Sequence, residues 1–149
     1  MIDHVWTVLC SRAVVDRDTN NVSIQNAIEQ LNIVGEPKLG AVVPRRFEVV
    51  TFCVRAAAEV PCRGELLLTY RSPSDEILGT FERPINLLKH ERLRDRMRFE
   101  GLPAGEPGRY YFDVELRDEG EQEWRRVAAI PLMIVFKPPE EEGEIEKGG

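Results

Sequence analysis

Nucleophilic catalysis needs a base within hydrogen-bond reach of a hydroxyl or thiol, and this chain supplies only His4 and His90 for that task. Its candidate nucleophiles stand in Cys10-Ser11-Arg12, Val22-Ser23-Ile24 and Arg71-Ser72-Pro73-Ser74. None of these is a Gly-x-Ser-x-Gly elbow, and no Gly-rich loop runs into Lys and a hydroxyl residue. The sequence therefore predicts neither an enzyme nor a cofactor. Cys10, Cys53 and Cys62 are odd in number and scattered, whereas tetrahedral zinc sites are built from close Cys or His pairs. They read as buried or free thiols in a reducing compartment.

One short stretch has the letters of a metal loop. In Asp16-Arg17-Asp18-Thr19-Asn20-Asn21, the side chains of Asp16, Asp18 and Asn20 repeat the alternate oxygen ligands that begin a calcium loop. The sixth place, where such a loop wants Gly, is Asn21, and the twelfth, where it wants Glu, is Ala27. A polar turn between Val14-Val15 and Val22-Ser23-Ile24 uses the same residues. A basic row, Arg92, Arg94, Arg96 and Arg98, preceded by Arg83, Lys89 and His90, offers a phosphate-binding face. It lacks the interleaved aromatic rings that single-stranded nucleic acid stacks on.

The elements that must carry these residues are strands. Apolar and polar residues alternate over about 4–15, 22–33, 47–57, 64–71, 76–87, 91–100, 109–117 and 124–136, with turn signals between them. Within the second stretch Ile24, Ala27, Ile28 and Leu31 also keep a helical spacing, with Asn20, Asn21 and Ser23 as N-cap candidates. Ser72-Pro73-Ser74-Asp75 predicts a hairpin between Leu66–Tyr70 and Ile77–Phe81. A second hairpin is expected over Arg92–Arg117, turning at Gly101–Gly108. It sets Phe99 opposite Tyr110, Arg96 opposite Asp113 and Arg94 opposite Glu115, so that the basic row is neutralised. Pro131 has no N–H to give, so the last strand should run along a border or change sheets there. Trp6 and Trp124, in the first and last strands, read as core or edge cover.

Together these signals predict an all-β fold, a two-sheet antiparallel β-sandwich of about eight strands over residues 1–136. Residues 137–149 hold five Glu and two Lys around Pro138-Pro139. That composition predicts a disordered acidic tail. The motifs Leu9-Cys10, Thr19-Asn20-Asn21-Val22-Ser23-Ile24, Gly101-Leu102-Pro103, Pro107-Gly108-Arg109-Tyr110-Tyr111-Phe112-Asp113-Val114 and Ile130-Pro131-Leu132 resemble a small uncharacterised bacterial β-sandwich family. The likeness covers most of residues 5–136. It implies an immunoglobulin-like sandwich in the cytoplasm without known enzymatic activity, and it supplies no site residue.

The chain has 149 residues, enough for one domain, and its formal charge of -6 disfavours nucleic acid and anionic membrane as partners. The N-terminal residues lack a secretory pattern, and no apolar run reaches the roughly 20 residues of a spanning helix. The expected function is a non-catalytic interaction or assembly module that binds a protein partner, or itself, through a sheet face or edge. The alternative is a small-ligand or calcium-binding sandwich that uses the 16–21 loop.

Overall fold

Side chains that alternate between wet and dry settle as strands with one face covered; in the computed structural model, which describes residues 1–139, residues 30–34 do so, whereas 47–51 are buried on both faces. The strands are β1 (Ile2–Val15), β2 (Val22–Ala27), β3 (Gln30–Val34), β4 (Val42–Val43), β5 (Phe47–Arg55), β6 (Cys62–Arg71), β7 (Ile77–Leu87), β8 (Arg92–Phe99), β9 (Leu102–Pro103), β10 (Gly108–Asp118) and β11 (Arg125–Lys137). A four-stranded sheet has the order β2-β1-β5-β8, a five-stranded sheet the order β3-β11-β10-β6-β7, and β4 pairs with β9 alone. Every pairing is antiparallel except that of β3 with β11.

The dry faces of the two larger sheets share one core. Leu9, Val49, Cys53 and Met97 come from the four-stranded sheet, and Leu68, Tyr110, Phe112, Val114 and Leu132 from the five-stranded one. Each such side chain contributes about 1.5–3 kcal/mol on full burial. At one end of the molecule the aromatic rings stack, Tyr70 on Phe112 at 4.6 Å and Phe47 on Phe99 at 4.9 Å between centroids. The buried phenols keep partners: Tyr70 Oη donates to Pro103 O at 2.6 Å and Tyr110 Oη to Glu106 O at 2.6 Å. Gly64 marks a close approach, because a Cβ there would stand 2.1 Å from the carbonyl oxygen of Arg117.

Three features of the sequence reading change. The expected strand over 22–33 is broken at Ile28 and Glu29, so β2 and β3 belong to different sheets. Asn26 has a φ of 55°, and the buried Ile28 donates its N–H to Leu9 O at 2.8 Å as the chain crosses over. The helical spacing of Ile24, Ala27, Ile28 and Leu31 thus records a change of sheet rather than a helix. This split and the two-residue strands β4 and β9 bring the total to eleven.

The second change concerns the basic row. The Arg92–Arg117 hairpin does not form: β8 pairs with β5, in the register Phe47↔Phe99 and Val50↔Arg96, whereas β10 lies in the other sheet between β6 and β11. An alternating pair of strands reads alike whether its linker turns back in one sheet or crosses to the facing one. Here Gly101–Pro107 crosses, and β9 pairs with β4 on the way. The Ser72–Asp75 hairpin does form, joining β6 to β7 with Asp75 at a φ of 69°.

Third, β11 is a border only in its first half. Pro131 lies opposite Tyr111 of β10, and β3 joins the other side from Met133 onward, beyond the residue that has no N–H. Neither tryptophan is fully buried, and Trp6 packs against the cluster of Cys10, Ala13 and Val50. Trp6 packs on Phe52 at 5.5 Å on the outer face of the four-stranded sheet, and Trp124 lies under the Arg117 guanidinium at 4.1 Å. Lys137 closes β11, and the remainder of the acidic tail, from residue 140, lies outside the described residues.

Candidate functional site

The outer faces of the two large sheets differ in how their charges are used. On the five-stranded sheet Asp113, 2% exposed, accepts from Arg71 at 2.9 and 3.2 Å, with Arg126 at 3.4 Å. Arg71 also reaches Asp75 at 3.0 Å and lies over the Tyr111 ring, and the Asp113 carboxylate holds its guanidinium above the ordinary arginine range. Arg117 meets Glu65 at 3.1 Å, and Arg63 is bonded to Glu119. That face is a lattice of matched ions.

The four-stranded sheet is open at one corner. β1 follows β5 as far as the pair Cys10↔Glu48, then leaves it and continues with β2 as a two-stranded arm. The arm lies over the outer face, where it covers Val50 and Cys10 with Ala13, Val22 and Ile24. At the parting point Ala13 still pairs with Ile24 of β2, but on the edge that β5 has left two side chains take the place of a strand. Glu48 Oε2 accepts the Ala13 N–H at 2.7 Å, and the Arg96 guanidinium donates to Ala13 O at 2.8 Å. Arg96 also donates to Glu48 Oε1 at 3.0 Å, and Arg98 stands 3.5 Å from the same oxygen. Burial raises the Glu48 pKa, but the Ala13 amide and the two guanidinia outweigh it and hold the carboxyl below its ordinary 4.5.

Between the arm and the ends of β5 and β8 opens a cleft of about 690 Å³. Residues 11–15 of the arm form one wall. Arg46, Glu48, Arg96, Arg98 and Glu100 line the other. Arg46 approaches only Glu100, at 3.7 Å, with both side chains more than 80% exposed. Arg98 is 72% exposed, and Arg12 forms no ion pair among the described residues. Beside the cleft Arg45 donates to Ser11 Oγ at 3.2 Å, while its Nε is buried without a partner. Five guanidinia thus gather around two carboxylates, in a protein that is acidic as a whole.

The predicted partners of the basic row are accordingly replaced. Arg96 meets Glu48 rather than Asp113, and Arg94 donates to Asn20 O at 2.7 Å and Asn20 Oδ1 at 3.0 Å rather than facing Glu115. Asp16, Asp18 and Asn20 do share the β1–β2 turn. Asp16 Oδ1 accepts the N–H groups of Asp18 and Thr19 at 2.8 and 3.1 Å, which hold its carboxyl below the ordinary range, and the Asn20 amide oxygen is taken by Arg94. Among the described residues no three His, Cys, Asp or Glu side chains stand together as metal ligands.

His4 accepts or donates at Thr7 Oγ1, 2.8 Å away, and Thr7 meets Thr51 Oγ1 at 3.0 Å. Burial lowers the His4 pKa, no carboxylate orients the ring, and the hydroxyls satisfy one another within the core. Cys53 lies in the core with its thiol pushed up to about 12 by burial and by Asp95. The sequence reading passed over Glu48, Arg12 and Arg46. A lone carboxylate in the apolar run Phe47-Glu48-Val49-Val50 was the available signal, since a buried charge requires a partner.

No family model matches the chain, and no curated protein is similar to it. Among solved structures it is similar to a family 123 glycoside hydrolase from Clostridium perfringens, at 9% identity and a TM-score of 0.42 over 89% of this chain. The chain spans 27% of that protein's length, and the likeness is too slight to carry an argument.

Proposed function

We propose that the chain is a non-catalytic interaction module, an immunoglobulin-like sandwich of bacterial cytoplasm that engages a protein partner, a second copy included, through the outer face of its four-stranded sheet. The supporting observation is the contrast between the faces. One sheet spends its charges on itself, while the other keeps exposed Arg12, Arg46 and Arg98 beside a cleft where a strand edge has lost its neighbour. Exposed guanidinia on a rigid face, Arg12 without an ion pair among the described residues and Arg46 and Arg98 only loosely paired at 3.7 and 3.5 Å, supply specificity and steering for a carboxylate-bearing partner. A polynucleotide fits less well. The chain carries a formal charge of -6, and the two rings at the cleft, Phe47 and Phe99, are stacked on each other.

The test is photo-crosslinking at native expression level, with a photoreactive residue at Arg12 in the cleft wall or at exposed Thr80 on β7. Discrete adducts from position 12 and none from position 80 are expected. Equal yields from the two faces, or none from either, would refute the reading.

A further inference from the structure

The β6–β7 hairpin forms one wall of a second pocket, of about 410 Å³, which shares no lining residue with the arginine cleft. We propose that this pocket binds a small organic ammonium ion, a protonated amine on a compact apolar body, with the Glu106 carboxylate as its anchor. Ser72, Ser74, Glu76 and Leu78 come from the hairpin, and residues 39–41 and 103–106 form the facing wall. The volume lies in the range of small-molecule sites, roughly 300–1,000 Å³.

Both walls are held by backbone bonds. β4 pairs with β9 through Val42↔Pro103 and Val43↔Leu102, and the Ala104 N–H extends that ladder to Ala41 O at 2.9 Å. Gly105 lets the two segments touch, since a Cβ there would stand 3.0 Å from Lys38 O. The hairpin is closed by Ser72 N–H on Glu76 O at 2.8 Å and Asp75 N–H on Ser72 O at 2.9 Å. Glu106 joins the walls to each other. Its N–H donates to Tyr110 Oη at 3.1 Å, and its Oε1 accepts from Ser74 N–H at 3.2 Å and from Ser74 Oγ at 2.8 Å. The carboxylate is therefore fixed before any ligand arrives, which lowers the cost of binding.

The side-chain protons of these walls are already committed. Ser72, Ser74 and Tyr110 are the lining residues with a hydroxyl. Tyr110 Oη donates to Glu106 O at 2.6 Å. Ser74 Oγ donates to Glu106, so in its 3.0 Å contact with Ser72 Oγ the donor is Ser72, whose oxygen accepts the Glu76 N–H at 3.0 Å. The side chains are left with acceptors. Glu106 Oε2 has no partner, and neither Glu106 nor Glu76 forms an ion pair, among the described residues. An anion would meet like charge and spent hydroxyls, whereas an ammonium brings donors to these oxygens in charge-assisted hydrogen bonds. The rest of the lining is apolar, with Leu39, Ala41, Leu78, Pro103 and Ala104. Leu39 is 95% exposed, and a ligand with an apolar body covers it. A hard divalent cation gains nothing from that surface and finds one fixed carboxylate where it needs several oxygen ligands.

The experiment titrates the isotope-labelled full chain with n-hexylammonium chloride and follows its amide signals, with 1-hexanol, sodium hexanoate and magnesium chloride as controls. The ammonium is expected to give saturable shifts at Ser72, Ser74, Gly105 and Glu106, with a half-point in the millimolar range for so small a probe. Hexanol should bind about tenfold more weakly, the loss of one charge-assisted hydrogen bond, and hexanoate and magnesium should leave these signals in place. Glu106→Gln keeps an acceptor for Ser74, so the walls stay joined, but it should weaken the ammonium about tenfold and leave hexanol unchanged. The probe comparison on the unmodified chain decides the charge requirement without any variant. Absence of saturable shifts, equal affinity for ammonium and hexanol, the same shifts from hexanoate or magnesium, or ammonium binding indifferent to Glu106→Gln would each overturn the proposal.

Discussion

Replacing Glu48 with Ala should be among the most costly single changes on the four-stranded sheet. The carboxylate is 6% exposed and holds the arm in place through the Ala13 amide, itself in a residue 3% exposed. Leaving a buried N–H without an acceptor costs about 1–3 kcal/mol. Removing one member of a buried ion pair costs roughly 3–5 kcal/mol when the other stays dry. Arg96 and Arg98 are 27% and 72% exposed, so water takes back most of their charge, and about 1 kcal/mol is a fair share for that loss. The sum is about 2–4 kcal/mol, or roughly 4–15 °C in melting temperature for a chain of this size. Glu48→Gln keeps one acceptor and should cost about half as much. Urea denaturation gives the difference, and amide exchange at Ala13 should accelerate more than exchange at Val49. The pH dependence supplies a sign. Because the folded carboxyl sits below 4.5, its contribution is complete above that value and is lost as pH falls through the folded pKa. The acid limb of the stability curve should therefore flatten in Glu48→Gln. A Glu48→Ala protein within about 0.5 kcal/mol of its parent, the range of an ordinary surface change, or an unchanged acid limb, would refute this account of the arm.

Gly64→Ala should be severely destabilising, since the new Cβ would overlap the Arg117 carbonyl and main chain must move; loss of soluble folded protein, checked by circular dichroism, is expected. Asp95→Asn should leave stability at pH 7 unchanged or higher. Burial raises the Asp95 pKa above 3.8 despite Arg83 at 3.0 Å, so the charged form is penalised above its folded value and relieved as pH falls through it; a loss above about 1 kcal/mol in urea titration would contradict this. Iodoacetamide at pH 8 should modify Cys62, which is half-buried, and spare Cys53, whose thiol titrates near 12; mass spectrometry of the native protein reads the ratio, and equal labelling would disprove the assignment.

Strand identity was legible in this chain because alternation is a local property. The runs that became β1, β5, β6, β7, β8, β10 and β11 are visible within a few residues of their ends. Pairing was legible only where a short turn forces it, as at Ser72–Asp75. Gly101–Pro107 is long enough either to turn back or to cross, and nothing in the letters of Arg92–Phe99 tells Glu48 from Asp113 as the partner of Arg96. The cleft exists because β1 leaves β5 after Cys10, a long-range event that no window of sequence contains. Its one local trace was Glu48 among apolar neighbours.

The parallel pairing of β3 with β11 bears on the order in which the protein can be made. Within its sheet β3 has no other neighbour, and its partner residues, Met133–Lys137, come about a hundred positions later in the chain. During synthesis β3 must wait, with Leu31 and Ile33 uncovered, until nearly all of the described chain has left the ribosome. A nascent chain halted before Met133 presents an unmatched apolar edge. The four-stranded sheet needs no residue beyond Phe99, whereas the five-stranded sheet closes as a late event that depends on the arrival of its last strand.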